Sequence, residues 1–324
     1  MIIAIPDDYH GLVPTLDCFR LLKDHEVRVF RDAAPPFERL AGLLRDADII
    51  VPIRERTRFT KELIGALPKL KLFSQTGRST RHIDVAACTA RGIAVAAGSH
   101  ASPYTVNEHT WALIFAALRP VAEDHALMKR GEWRSTFSTG LHGKTLGVLG
   151  LGMIGKLVAA TGASLGMRVL VWGRKGSQEA ARAAGYGVAD DQRALFTQSD
   201  VLSVNLRYTP ETRGIVTAHD LAAMKPTALL VNAARAEIIE QGALEQALRS
   251  GRPGRAAVDV YENEPVLGGD HALLRIPNAT CTPHTAWLEQ TTYELYMGEA
   301  FENAVAFAAG RPAGVVNPEV LGRT

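Results

Sequence analysis

Thr145-Leu-Gly-Val-Leu149 runs directly into Gly150-Leu-Gly152-Met-Ile-Gly155, and Lys156–Leu165 follows. The first stretch reads as a buried β-strand and the last as a helix, with the glycines at the turn between them. Glycines at this spacing are a weak signal alone and a specific one between a strand and a helix. Gly150 permits the tight turn. Gly152 leaves room for a pyrophosphate to approach the backbone, and Gly155 lets helix and strand pack closely. The helix N-terminus adds amide donors and a favourable dipole, and Met153 and Ile154, between the glycines, are further candidate cofactor contacts. The stretch therefore predicts a doubly wound parallel α/β unit that binds a dinucleotide.

Outward from this turn the alternation continues. Strands read at Arg168–Trp172, Asp200–Val204, Ala228–Asn232, Arg255–Val260 and Ala279–Cys281. An earlier series has strands at Ile2–Ile5, Val27–Phe30, Asp48–Pro52, Lys71–Gln75 and Ala94–Ala96. Helices near Thr15–Lys23, Phe37–Arg45, Lys61–Leu67 and Ile83–Arg91 separate those strands. Strands joined by helices imply parallel sheets covered on both faces. Two long helices complete the pattern, Pro103–Leu118, with Ser102 as its N-cap, and Leu288–Gly310. The first is apolar around most of its circumference from Val106 to Leu118, which predicts burial on several sides.

The 324 residues suffice for two domains, and 47% hydrophobic with 22% charged residues is an ordinary globular mixture. A net charge of +2 gives no electrostatic case for nucleic acid or an anionic membrane. No apolar run is long enough to cross a bilayer, and Met1–Gly11 lacks the pattern of a signal peptide. Cys18, Cys88 and Cys281 are scattered, without metal or redox spacing, so no metal site is expected and a reducing cytoplasm is the expected compartment.

The strand Arg168–Trp172 should end beside the adenosine ribose, where an acidic residue would bind the 2′-hydroxyl of NAD. Here Gly173-Arg174-Lys175 follows, with no acid until Glu179. Two cations suit a 2′-phosphate, so NADP is favoured over NAD; the bland alternative is a solvated basic loop.

Hydride transfer to a keto acid needs a cation for the carboxylate and carbonyl, an acid for the new alkoxide, and a carboxylate to orient that acid. One candidate for each follows a predicted strand: Arg235 in Val231-Asn-Ala-Ala-Arg235, Glu264 in Asp259-Val-Tyr-Glu-Asn-Glu264-Pro265, and His284 in Thr282-Pro-His284-Thr. Guanidinium is planar and always charged. A carboxylate beside an imidazole favours its protonated, proton-donating form. Ligands bind outside the carboxyl ends of strands in such sheets.

These motifs together resemble the D-2-hydroxyacid dehydrogenase family, over essentially the whole chain. Gly143-Lys-Thr-Leu-Gly-Val-Leu-Gly150-Leu-Gly152-Met-Ile-Gly155 matches its cofactor signature. Leu230-Val-Asn232-Ala-Ala-Arg235 matches its substrate arginine segment, and Ala257–Pro265 carries the matches to its cofactor aspartate, Asp259, and its histidine-supporting glutamate, Glu264. Pro283-His284 matches its acid–base histidine, while Asp200–Val204 and Pro210–Gly214 match a further stretch. The resemblance implies a Rossmann domain, 102–290, and a flavodoxin-like substrate domain, 1–101 with 291–324. It also implies helices crossing between them, a homodimer with the first such helix near its interface, and cofactor contacts from Leu206, Arg207, Ala233, Ala234, Arg235 and His284. The substrate would be a small 2-oxo or 2-hydroxy acid, bound by Arg235, His284 and the backbone near Gly77–Ser79.

Departures bear mainly on substrate. The family often has Gly-Val-Gly-Thr-Asp-Asn-Ile-Asp where this chain has Gly77-Arg78-Ser79-Thr80-Arg81-His82-Ile83-Asp84. Arg78 either meets a second anionic group on the substrate or faces solvent or cofactor. Ala236 replaces the usual glycine after the arginine, and Asn205-Leu206-Arg207 replaces His-Leu-Pro. Gly173-Arg174 resembles NADP-using glyoxylate/hydroxypyruvate reductases. Two alternatives stay open: 3-phosphoglycerate dehydrogenase, and a cofactor-sensing scaffold like the C-terminal binding proteins, against which the lack of long disordered flanks argues.

Overall fold

The computed structural model describes residues 1–99 and 102–322. In chain order its strands are β1 (Ile2–Ile5), β2 (Glu26–Val29), β3 (Ile49–Ile50), β4 (Leu72–Gln75), β5 (Ala94–Ala97), β6 (Thr145–Leu149), β7 (Arg168–Trp172), β8 (Gly187–Val188), β9 (Val201–Val204), β10 (Leu229–Asn232), β11 (Arg255–Val258) and β12 (Ala279–Cys281). The α-helices are α1 (Phe37–Leu44), α2 (Lys61–Gly65), α3 (Val85–Ala90), α4 (Pro103–Leu118), α5 (Val121–Lys129), α6 (Met153–Ser164), α7 (Lys175–Ala183), α8 (Gln192–Gln198), α9 (Ala218–Ala223), α10 (Ala243–Arg249) and α11 (Gln290–Ala308). Internal contacts divide the chain into two units, Pro103–Trp287 and Met1–Ser102 with Leu288–Thr324.

In the unit Pro103–Trp287 seven parallel strands stand in the order β12-β11-β10-β9-β6-β7-β8. Alternate side chains of each strand enter opposite cores. Leu146, Val148, Val201, Leu229, Val231 and Ala257 join one with Trp111, Ile114 and Val158. Leu149, Leu202, Val204, Leu230 and Val258 join the other with Phe196, Leu221 and Leu244. A sheet buried on both faces explains why these strands read as unbroken apolar runs rather than alternating ones. The chain winds outward from β6 through β7 and β8, then returns to place β9 on the other side of β6. That reversal opens a crevice above the carboxyl ends of β6 and β9.

In the other unit the parallel order is β2-β1-β3-β4-β5. Ala4, Ile50, Phe73 and Val95 face Leu44, Phe59 and Ile64 in one core. Helix α11 packs on β4 and β5, with Met297, Ala300 and Phe301 buried and the Ser74 hydroxyl donating to Ala300 O at 2.6 Å.

Several expectations are corrected. Thr15–Lys23 is not an α-helix but two 3-10 turns, Val13–Thr15 and Asp17–Leu22, split at Leu16, which is extended (ψ 141). The Glu294 carboxylate takes the Asp17 and Cys18 amides there, at 2.5 and 2.9 Å. The strand expected over Asp48–Pro52 shrinks to its centre, and α6 starts at Met153 rather than Lys156. Within its unit α4 buries Trp111, Leu113, Ile114 and Leu118 and leaves Phe115 41% exposed. Among the described residues, no helix is long and apolar enough to cross a membrane.

Candidate active site

The turn after β6 has the form its glycines dictate. Gly150 adopts φ 91, in the left-handed region, and its amide donates to Trp172 O at 2.8 Å. A side chain there would strike Leu206 Cδ2, at 2.8 Å. A Cβ on Gly155 would overlap the Gly150 carbonyl oxygen, so helix and turn touch through backbone. Gly152 differs: among the described residues nothing lies within 4 Å of where its Cβ would be. It caps α6, whose first internal bond is Lys156 N to Gly152 O at 3.0 Å. The amides of Met153, Ile154 and Gly155 therefore have no partner within the helix. Empty space beside free amides at a helix start fits a dinucleotide pyrophosphate.

Next along the crevice, β7 ends at Trp172-Gly173. Arg174 is the N-cap of α7 and Lys175 its first residue; both are exposed. The Ser177 hydroxyl accepts the Leu151 amide at 3.2 Å, bracing this loop against the glycine turn. Beyond β9, Leu206 is half-buried and Arg207 exposed.

β10, β11 and β12 are neighbours, so the residues beyond their carboxyl ends lie side by side at strand spacing. Beyond β10, the buried Asn232 shapes the loop. Its Oδ1 accepts the Ala234 amide at 3.0 Å and its Nδ2 donates to Arg235 O at 2.9 Å. This holds Ala233 and Ala234 in a tight bend and leaves Arg235 half-buried, with one guanidinium nitrogen donating to Ala234 O at 2.7 Å.

Beyond β11 comes Glu264. One of its oxygens accepts the Tyr261 amide at 2.9 Å, and the other lies 2.5 Å from Nδ1 of His284, beyond β12. The two side chains are 30% and 31% exposed, so the pair is sheltered yet reachable. With Nδ1 engaged by a carboxylate, Nε2 is the nitrogen left to exchange a proton with a ligand. His284 has φ 52, left-handed for a residue with a side chain, a conformation that persists when surroundings hold it.

Asp259 is fully buried just past β11. It accepts the Thr282 hydroxyl at 2.5 Å and the amides of Thr285 and Ala286 at 2.9 and 2.8 Å. Burial alone pushes its carboxyl up, but hydrogen bonds from His109, Thr282, Thr285 and Ala286 outweigh burial and hold it below the ordinary value.

In the other unit, Gly77, Arg78 and Ser79 stand just past β4. Gly77 has φ 85, and a side chain there would meet Arg54 Nη1 at 2.9 Å. Arg78 is exposed, its Nε donating to Ser99 O at 2.5 Å. Sequence reading passed over Arg54, which follows β3, has φ 56 and stacks on Tyr296 at 4.9 Å. It also passed over Asn232 as a loop former, and over His109, Thr282 and Tyr261. Arg54 was open to the strand-end rule that located Arg235. The others act through hydrogen bonds that no spacing encodes.

The D-isomer specific 2-hydroxyacid dehydrogenase NAD binding domain matches residues 111–286. Glyoxylate reductase of Aeropyrum pernix is 37% identical over 93% of this chain and 92% of its own. D-3-phosphoglycerate dehydrogenase of Methanocaldococcus jannaschii is 37% identical over 76% of this chain but only 47% of its own. A solved oxidoreductase from Ralstonia solanacearum, 48% identical, superposes with TM-score 0.94 over 99% of this chain and 98% of that one. The fold that carries the glycine turn and the His284–Glu264 pair is thus a shared one, and the chain belongs to the D-isomer specific 2-hydroxyacid dehydrogenase family of NAD-dependent oxidoreductases acting on CH–OH groups.

Proposed function

We propose that the chain reduces a small 2-oxo acid to its D-2-hydroxy acid. The observation that carries this is the 2.5 Å His284–Glu264 pair, one strand over from Arg235. The Gly150–Gly155 turn, with the Met153 and Ile154 amides, holds the pyrophosphate. Leu206, Arg207, Ala233, Ala234, Arg235, Asp259 and His284 border the rest of the cofactor. When bound, the nicotinamide supplies a hydride to the carbonyl carbon. Arg235 holds the substrate carboxylate and polarises the carbonyl. Gly77, Arg78 and Ser79 contribute a second set of donors. His284 gives its Nε2 proton to the oxygen as the alkoxide forms, Glu264 holds the ring through Nδ1, and solvent restores the proton afterwards. His284→Asn should lower turnover of glyoxylate or hydroxypyruvate at least about a hundredfold while cofactor affinity stays near wild type. Near-normal turnover in that variant refutes the assignment.

Arg174 and Lys175 favour NADPH over NADH, and the enzyme works in the cytoplasm without nucleic acid or membrane. A homodimer is proposed because Tyr104, Phe115, Val121, Met128, Trp133 and Phe137 are all exposed, the last two 89% and 104%. A monomer in sedimentation at micromolar concentration would overturn it. One observation favours a substrate with a second anionic group: Arg54 and Arg78 stand on either side of the Gly77 turn in sequence, and Arg54 packs against it in space. On this second reading a phosphorylated hydroxypyruvate should outcompete the unphosphorylated acid in kcat/KM. Equal values exclude it.

A further inference from the structure

We propose that His109, in α4, is a positioning residue for His284, acting through the hydroxyl of Thr282. The inference rests on His284 being the proton donor.

Thr282 is the hub of the loop. Its amide donates to Val258 O at 3.0 Å, and its carbonyl accepts the Tyr261 hydroxyl at 2.9 Å and the His284 amide at 3.1 Å. Its hydroxyl proton is committed to Asp259, at 2.5 Å. That hydroxyl can therefore only accept from His109, whose Nε2 lies 3.0 Å from it and 3.3 Å from the same Asp259 oxygen. The arrangement requires the proton on Nε2 of His109. Helix α4 thereby fixes the hydroxyl of Thr282, as Tyr261 fixes its carbonyl. With Thr285 and Ala286 tied to Asp259 as well, both flanks of His284 are clamped around its left-handed backbone. Removing one clamp frees the loop to relax toward an ordinary conformation and swings the imidazole away from its working position. Misplacements of this order cost rate rather than binding.

The test is a double-mutant cycle with a donor-retaining control. His109→Phe and Thr282→Val should each lower kcat for glyoxylate reduction about tenfold, with KM and NADH or NADPH dissociation constants changed less than about twofold. His109→Gln, which keeps an amide donor, should recover most of the rate. The double variant should be no slower than Thr282→Val alone, because losing the hydroxyl already cuts the connection through which His109 acts. If His109→Phe does not fold, the Gln variant and Thr282→Ser against Thr282→Val still decide the matter. Wild-type kcat in His109→Phe, equal rates for Phe and Gln, or additive losses overturn the proposal. So does cofactor affinity falling in parallel with kcat. An active His284→Asn enzyme would instead overturn the proton-donor reading.

Discussion

Gly155→Ala and Gly152→Ala add the same methyl to the same turn and should fail in different ways. At Gly155 the methyl meets the Gly150 carbonyl oxygen, with Asn205 Cβ at 3.3 Å behind it. Neither neighbour can yield, because Gly150 is pinned to Trp172 O at 2.8 Å. Helix α6 must back away from β6. Overpacking of this kind costs about 1–3 kcal/mol, against roughly 1 kcal/mol returned by alanine's helix propensity. A net loss of up to about 2 kcal/mol lowers the melting temperature of a unit this size by up to roughly 8 °C. The retreat also draws amides from the pyrophosphate. Each charge-assisted hydrogen bond lost is worth about 1.5–3 kcal/mol, so NADH and NADPH should bind at least about tenfold more weakly. At Gly152 the backbone, φ −74, suits alanine, and the methyl points into open space. Melting should be unchanged while the cofactor dissociation constants rise about tenfold, since the methyl occupies the ligand's place. Scanning fluorimetry and titration of nicotinamide fluorescence measure both quantities. Wild-type melting and binding in Gly155→Ala would refute the packing argument. Wild-type binding in Gly152→Ala would mean that the pyrophosphate lies elsewhere.

Two further outcomes are expected. Arg174→Ala should raise the KM for NADPH about tenfold and leave that for NADH nearly unchanged; a wild-type enzyme that already uses both equally refutes the preference. Burial lowers the His82 imidazole to about 4 from 6.5, so it stays neutral when folded. The unfolded chain then takes the proton first, and stability present above the unfolded value declines as pH falls through the interval down to the folded one, by roughly 3 kcal/mol in all. In urea unfolding, the stability of wild type relative to His82→Asn should fall by roughly 3 kcal/mol between neutral pH and pH 4. Parallel stabilities exclude His82 as the source.

Strands were readable because a sheet buried on both faces leaves apolar runs such as Leu229–Val231 and Val201–Leu202. The Gly150–Gly155 turn was readable because backbone contact leaves glycine as the only solution at Gly155. Helix α5 was not: it buries no residue, so no apolar period marks it. The Asp17–Leu22 turn escaped for a different reason, since the carboxylate that caps it comes from Glu294, far along the chain. At the site, charged residues at strand ends identified Arg235, Glu264 and His284. The hydrogen bonds among His109, Thr282 and Asp259 join three distant segments, and chemistry of that kind lies in the folded geometry alone.

The placement of Arg235, Glu264 and His284 beyond three strands that are consecutive in the chain and adjacent in the sheet makes residues 229–286 a transplantable piece. Its loops are tied mainly to one another: Asn232 to Arg235, Tyr261 to Thr282, Asp259 to Thr285 and Ala286. Its outer seams include the β9–β10 pairing, the Val216–Ile239 bridge and two hydrogen-bonded links to α4, one at His109 and one from Arg255 to Ala117 O at 2.9 Å. The glycine turn and Arg174 lie outside it. Exchange of this segment between relatives that differ in cofactor should therefore carry the proposed proton-transfer residues across together, while the recipient keeps its own choice between NAD and NADP. A recipient lacking a histidine at the position of His109 would receive the machinery with its loop unfastened.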